Sequence, residues 1–270
     1  MHPDTLREHI VKCKAATDKP FGVNVPLLYP EMETIIDIII SEKVPIVFTS
    51  AGNPAKWTPL LKSHGITVAH VVSSSKFARK CEEAGVDAVV AEGFEAGGHN
   101  GREETTTMCL IPAVRQATFL PLIAAGGIAS GEAIAAVMAL GAEGVQIGTR
   151  FALSAESSAH DNFKNLCLTL NEGDTRLVLK QLAPTRLVRS EFLNQVLAAE
   201  TAGASVDELK ALLGKGRAKK GIFEGDLQEG ELEIGQIAST LHQMQPVDEI
   251  MQDLIKGYRT AVARIISDWD

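Results

Sequence analysis

Apolar residues in the first two thirds of the chain come in short runs. "PFGVNVPL" at 20–27, "PIVFTSA" at 45–51, "TVAHVVS" at 67–73, "DAVVAEG" at 87–93, "PLIAAGG" at 121–127 and "GVQIGTR" at 144–150 are rich in Val, Ile and Ala and stop at Gly, Pro, Asn or Ser. Runs of this length predict strands buried on both faces of a parallel sheet. Between them, "PEMETIIDIIISEK", "SSKFARKCEEAG" and "SGEAIAAVMALG" open on Pro or Ser, and two close on Gly, as helix caps prefer. Repeated βα units leave two architectures, a doubly wound sheet or a (β/α)8 barrel. After about residue 175, "SVDELKALLG", "ELEIGQIASTLHQMQ" and "PVDEIMQDLIKGYRTAVARIISDWD" read as amphipathic helices with no further strand. The expected organisation is a βα domain over 1–175 and a helical cap or extension over 176–270.

Composition narrows the function classes. At 270 residues and 45% hydrophobic content the chain can bury a large core. A net charge of −8 argues against a nonspecific grip on nucleic acid or on an anionic membrane surface. Cys13, Cys81, Cys109 and Cys167 are widely spaced and form no Cys-x-x-Cys pair, so they read as reduced, mostly buried thiols of a cytoplasmic protein, and no metal site is expected. The longest apolar run is broken by Asp37 and Glu42, and no signal-peptide pattern opens the chain, so neither a membrane span nor a leader is expected.

Glycine and polar residues gather where strands hand over to helices, the edge at which both candidate architectures place their active sites. No G-x-G-x-x-G follows the first strand, and "GKGRAKKG" at 214–221 reads as a turn with a solvated basic face. "AAGG", with Gly126 and Gly127, and "QIGT", with Gly148 and Thr149, let backbone N–H groups approach an anion closely. In a (β/α)8 barrel the loops after strands 7 and 8 commonly form a phosphate site. That register makes 20–27 the third strand, with the first two βα units absent from the chain as given. The stretch "AEGFEAGGHNGREETTTM" at 91–108 then follows the sixth strand and holds His99 between glycines, the setting of a general acid or base. His70 lies within a strand, as core or pocket. The three threonines either offer hydroxyls to a substrate or cap the next helix, while Glu103 and Glu104 beside Arg102 read as a solvated charge run.

Taken in order, "GVNVPL", "AEGFEAGGH", "PLIAAGGI" and "LGAEGVQIGTRF" resemble the signatures of the family of FMN-dependent nitronate monooxygenases (formerly 2-nitropropane dioxygenases) and enoyl-[acyl-carrier-protein] reductases II. "KGIFEGDLQEGELEIGQIAS" is similar to the C-terminal segment of the reductase branch. The resemblance implies an FMN-binding TIM barrel with the phosphate on Gly126, Gly127, Gly148 and Thr149. Asn24, Glu92, Ala96, Gly97, Gly98 and Gln146 would line the isoalloxazine and ribityl parts, and His99 falls on the family's catalytic histidine. It also implies NADH or NADPH as reductant, an enoyl thioester on acyl carrier protein as substrate, with "GKGRAKK" as a candidate basic patch for that acidic carrier, and a homodimer. The alternatives are oxidation of alkyl nitronates with O2 and, from another class, a non-catalytic fragment. Two departures stand out: the family's opening strands, the first ending in Gly-Gly-Met, are absent, and "HNGREETTTM" is longer and more charged than the usual reductase loop.

Overall fold

The computed structural model describes residues 2–267. By internal packing the chain forms two compact units, Met1–Ala91 with Ala113–Ile123, and Glu92–Pro112 with Ala124–Asp270.

The first unit contains α1 (Pro3–Ala16), β1 (Gly22–Pro26), α2 (Met32–Ser41), β2 (Ile46–Ser50), α3 (Thr58–Ser63), β3 (Thr67–Val72), α4 (Ser75–Glu83) and nearly all of β4 (Ala88–Glu92). Strands β1 to β4 pair in parallel, with Val47 opposite Val23 and Val68. Val47, Val68 and Val89 are fully buried, and α2 packs Ile36 and Ile39 into the same interior. His70 is a core histidine: it is buried, its Nδ1 is 2.7 Å from Thr49 Oγ1, and burial lowers its pKa to about 4.

The second unit adds β5 (Gly98–His99), most of α5 (Thr107–Arg115), the end of β6 (Leu122–Ala125), α6 (Gly131–Ala139), β7 (Gly144–Gln146), α7 (Thr149–Ala152) and α8 (Asp161–Cys167). It continues with β8 (Thr175–Val178), β9 (Thr185–Val188), α9 (Glu191–Thr201), α10 (Val206–Leu213) and α11 (Val247–Ser267). The six predicted strands are β1, β2, β3, β4, β6 and β7, hydrogen-bonded in that order. A sequential order belongs to a singly wound, barrel-type α/β sheet, whereas a doubly wound sheet reverses at a switch point.

The expectation of an all-helical segment after residue 175 is corrected. Strands β8 and β9 carry the same tetrapeptide, Thr-Arg-Leu-Val, and pair antiparallel, Thr175 with Val188 and Val178 with Thr185; β5 joins on the other edge of β9. Four residues are too few to display a period, and the partner of β9 lies nearly ninety residues upstream in β5, so no local pattern announces it. Successive β9 side chains face opposite ways, so Leu187 packs with Phe192, Leu193 and Leu209 while Val188 packs with Phe163, Leu232 and Ile234. The segment expected as a helix over 231–245 is likewise extended at first, with Glu233 bridging Leu187, and then forms a 3-10 turn at Gln236–Thr240. Leu232 and Ile234 are buried from that extended chain. The final predicted helix is α11, and Asp268–Asp270 of its pattern lie outside the described residues. Two of the four thiols, Cys81 and Cys167, are buried, and burial pushes both pKa values up to about 12.

Helix α11 is held on α6 by close backbone contact: a Cβ added to Gly131 would lie 1.9 Å from Tyr258 N and 2.2 Å from the Gly257 carbonyl carbon. Arg150 ties α7 to the same helix, donating to Ala129 O at 2.8 Å and pairing with Asp253 at 2.9 Å. Gly131→Ala should therefore push the helices apart and destabilise the fold by about 2–3 kcal/mol, the usual cost of overpacking, read as a lower urea midpoint. An unchanged midpoint would show that the crossing is not tight.

Candidate active site

The site residues are brought together by two short backbone approaches in the second unit. The turn after β4 folds back on the turn after β6: Gly93 N–H donates to Ala125 O at 2.9 Å, and a Cβ on Gly93 would lie 2.1 Å from Thr107 Oγ1. Gly126 and Gly127 take positive φ of 91° and 68°, a backbone conformation that side chains with a Cβ resist. A Cβ on Gly126 would lie 2.7 Å from Gly93 O, so this glycine is required by packing as well as by φ. Thr107 closes the junction, its hydroxyl donating to Gly126 O at 2.8 Å.

Glu95 caps α5. Its carboxyl group accepts from Thr107 N at 3.0 Å, where the helix leaves its first N–H groups unpaired. Neither role weighed for the threonines describes this one: Thr107 sits between Glu95 and Gly126. Glu104 forms an ion pair with Lys180, and Arg102 donates to Lys180 O at 2.8 Å and Leu182 O at 2.7 Å, so the charged loop is fastened to the turn between β8 and β9.

The second approach joins 96–98 to 233–235. A Cβ on Gly97 would lie 2.4 Å from the Ile234 carbonyl carbon, and Gly235 N–H donates to Thr149 Oγ1 at 3.1 Å. Beneath this crossing Arg186 is buried, donating to Phe94 O at 2.7 Å and Ala96 O at 3.1 Å with its guanidinium 4.5 Å from the Phe94 ring.

A cavity of about 250 Å³ lies within the second unit. Its lining includes Glu92, Ala96, Gly97, Gly126, Gly127, Gln146, Gly148 and Thr149, eight of the residues expected at a cofactor site. Glu233, Ile234, Gly235 and Ile237 complete the wall from the C-terminal segment. Three expected residues stand elsewhere. Asn24 is exposed on β1 of the first unit and lines a different, apolar cavity. Gly98 is buried beside the Glu233 carboxylate, and His99 is 71% exposed, its Nδ1 3.9 Å from Glu233 Oε1. The residue that single-sequence reasoning missed is Glu233. Its signal was the Glu-Leu-Glu alternation at 231–233, which in an extended chain puts both carboxyls on one side.

The lining fits the phosphate and sugar of a mononucleotide cofactor on one observation in particular. A Cβ added to Gly148 meets nothing within 4 Å, so open space lies beside the backbone of the turn opening α7. The same cavity holds two carboxyls whose charged forms burial disfavours: Glu92 is pushed up to about 7 and Glu233 is raised. "GKGRAKK", by contrast, is largely balanced within the chain, with Arg217 on Glu229 at 3.0 Å, Lys219 on Glu224 at 3.1 Å and Lys220 on Asp226 at 3.0 Å.

Comparison with known proteins places this geometry in a family. The profile described as nitronate monooxygenase matches residues 31–257, and the chain belongs to that family of flavin-dependent oxidoreductases. FabK from Thermotoga maritima has 40% sequence identity and a TM-score of 0.94 over 99% of this chain and 85% of its own. A nitroalkane oxidase from Streptomyces ansochromogenes superimposes with a TM-score of 0.81 at 27% identity over 97% of this chain and 87% of its own. Among curated proteins, (3aS,4S,5R,7aS)-5-hydroxy-7a-methyl-1-oxo-octahydro-1H-indene-4-carboxyl-CoA dehydrogenase of Rhodococcus jostii (strain RHA1) is 31% identical over 93% of this chain and 82% of its own length. The barrel-type α/β fold expected from the strand register is shared with FabK. No helix among the described residues is long and apolar enough to cross a membrane.

Two outcomes follow from the cavity. Glu92 has a folded pKa of about 7 against an ordinary 4.5, so its neutral form favours the folded state fully below pH 4.5, and that contribution is lost as pH rises to 7. Glu92→Gln should remove this loss: urea midpoints of the variant should gain on wild type between those limits and run parallel above them. A constant offset across the range would refute the raised pKa. Gly148→Leu should leave the thermal midpoint within about 2 °C, as for a surface change, yet weaken FMN binding at least tenfold (roughly 1.4 kcal/mol) in a fluorescence titration. Equal affinity would remove Gly148 from the cofactor site.

Proposed function

We propose that the chain is an FMN-dependent enoyl thioester reductase of the enoyl-[acyl-carrier-protein] reductase II kind, using NADH or NADPH. The observation that carries this reading is the 40% identity and 0.94 TM-score with FabK across 99% of the chain. A relative whose name specifies a carboxyl-CoA substrate adds independent support for a thioester.

The chain's residues suit the task. Gly126, Gly127, Gly148 and Thr149 would hold the phosphate, while Glu92, Ala96, Gly97 and Gln146 face the rest of the cofactor. Bound FMN supplies the two-electron chemistry between nicotinamide and enoyl thioester. The protein then has to orient the thioester, exclude water and deliver a proton to its α-carbon. A cavity in which burial shifts both carboxyls toward their protonated forms suits the last of these. His99, at the rim, would handle protons between this cavity and solvent.

A second reading, nitronate oxidation with O2, is favoured by the family profile and by the nitroalkane oxidase structure. Anaerobic mixing separates the two. The reductase reading expects NADH or NADPH to bleach the flavin absorbance and an enoyl thioester to restore it, whereas nitronate oxidation expects bleaching by a nitronate alone. Under the reductase reading His99→Ala should retain FMN and lower turnover by roughly two to four orders of magnitude. An unchanged rate would leave His99 as a loop residue.

A further inference from the structure

We propose that Glu233 is a catalytic acid of this site and that His99 recharges it from solvent. The identity of the proton acceptor rests on the thioester reading above; the relay itself rests on geometry. Glu233 lines the cavity, and His99 is outside its lining. Their side chains are 23% and 71% exposed, with His99 Nδ1 3.9 Å from Glu233 Oε1, so together they span from cavity wall to bulk water. That gap is closed by one bridging water or one rotation of the exposed imidazole.

The backbone is built to allow the pair. Gly98 separates cavity-lining Gly97 from His99 and has φ +71°, and a Cβ there would sit 3.0 Å from Glu233 Oε2. Glycine leaves the space the carboxyl occupies. The bridge between Glu233 and Leu187 fixes the strand from the other side. Glu231, only 8% exposed, is pushed up to about 7 by burial and by Glu233, while His99 and Arg217 pull it down. Two neighbouring buried acids do not ionise together readily, so burial and proximity both favour a proton on the pair.

The step balances without further reagents. The Glu233 carboxyl O–H breaks, its proton goes to the α-carbon of the thioester enolate, and the electron pair stays on Glu233 as carboxylate. The His99 imidazolium Nδ1–H reprotonates that carboxylate, and solvent returns a proton to His99. The titratable groups that bear on this pair are His99 on β5, Glu231 on the same strand with Arg217 acting on it, and Glu92 in the same cavity lining.

Three measurements test the relay, the first two on flavin-free protein. Infrared difference spectra should show a protonated-carboxyl band that persists to about pH 7, as the Glu231 pKa requires, and that changes in Glu233→Gln. NMR titration of the His99 ring should show coupled, two-step behaviour in wild type and a single step in the same variant. The relay expects wild-type kcat to fall as rising pH removes the acid's proton; on the loaded enzyme Glu233→Gln should lower kcat about 100-fold, with KM and FMN affinity retained, and should abolish that fall. Glu233→Asp should keep that fall. A carboxyl band that vanishes in the ordinary carboxylate range, a His99 titration indifferent to Glu233→Gln, or an unchanged kcat each overturns the relay. If wild type reduces no thioester while the infrared and NMR results hold, the thioester reading falls and the coupled acid stands.

Discussion

Arg186 is the interaction on which the second unit depends. Its guanidinium is buried, and a buried charge is tolerable only where its donors are satisfied. Here the acceptors are the backbone carbonyls of Phe94 and Ala96 and the hydroxyl of Thr175, so the cost of burial is offset by fastening the turn after β4 to β8 and β9. That turn carries Glu95, Gly97, Gly98 and His99. With it fixed, the glycines can lie in backbone contact with the 233–235 strand, and the cavity acquires its second wall.

The same close packing explains the electrostatics. Glycines at 93, 97 and 126 bring backbone to backbone, and Gly98 sits against the Glu233 carboxyl, so these acids are packed among protein atoms. Desolvation then raises Glu92, Glu231 and Glu233, because a carboxylate loses more than a carboxylic acid when water is removed. Glu95 has a different place: it accepts from Thr107 N at the start of α5. Acids a few residues apart are thus given different tasks by their surroundings, one capping a helix and the others facing a cavity.

The six strands of the main sheet and the positive-φ turn at 126–127 were legible because each depends on local chemistry. A buried parallel strand needs a continuous apolar run, and a turn with positive φ needs glycine. The family resemblance drew on those same segments and located most of the cavity lining. The antiparallel sheet of β5, β8 and β9 was not legible, since two- and four-residue strands carry no period and gain their hydrogen bonds from distant partners. Glu233 was hidden for the same reason: "ELEIG" fits a helical or an extended reading until Leu187 is set beside it.

The two Thr-Arg-Leu-Val copies mark the division most clearly. By itself the sequence determined that βα units repeat, where their glycine turns fall, and that His99 sits between glycines. It could not distinguish Arg176 from Arg186, which occupy identical tetrapeptides. Tertiary structure left Arg176 exposed and buried Arg186 against Phe94 and Ala96. The reason is physical: propensity and pattern act over a few residues, whereas the environment that decides a side chain's charge, partners and use is assembled from segments remote in the chain.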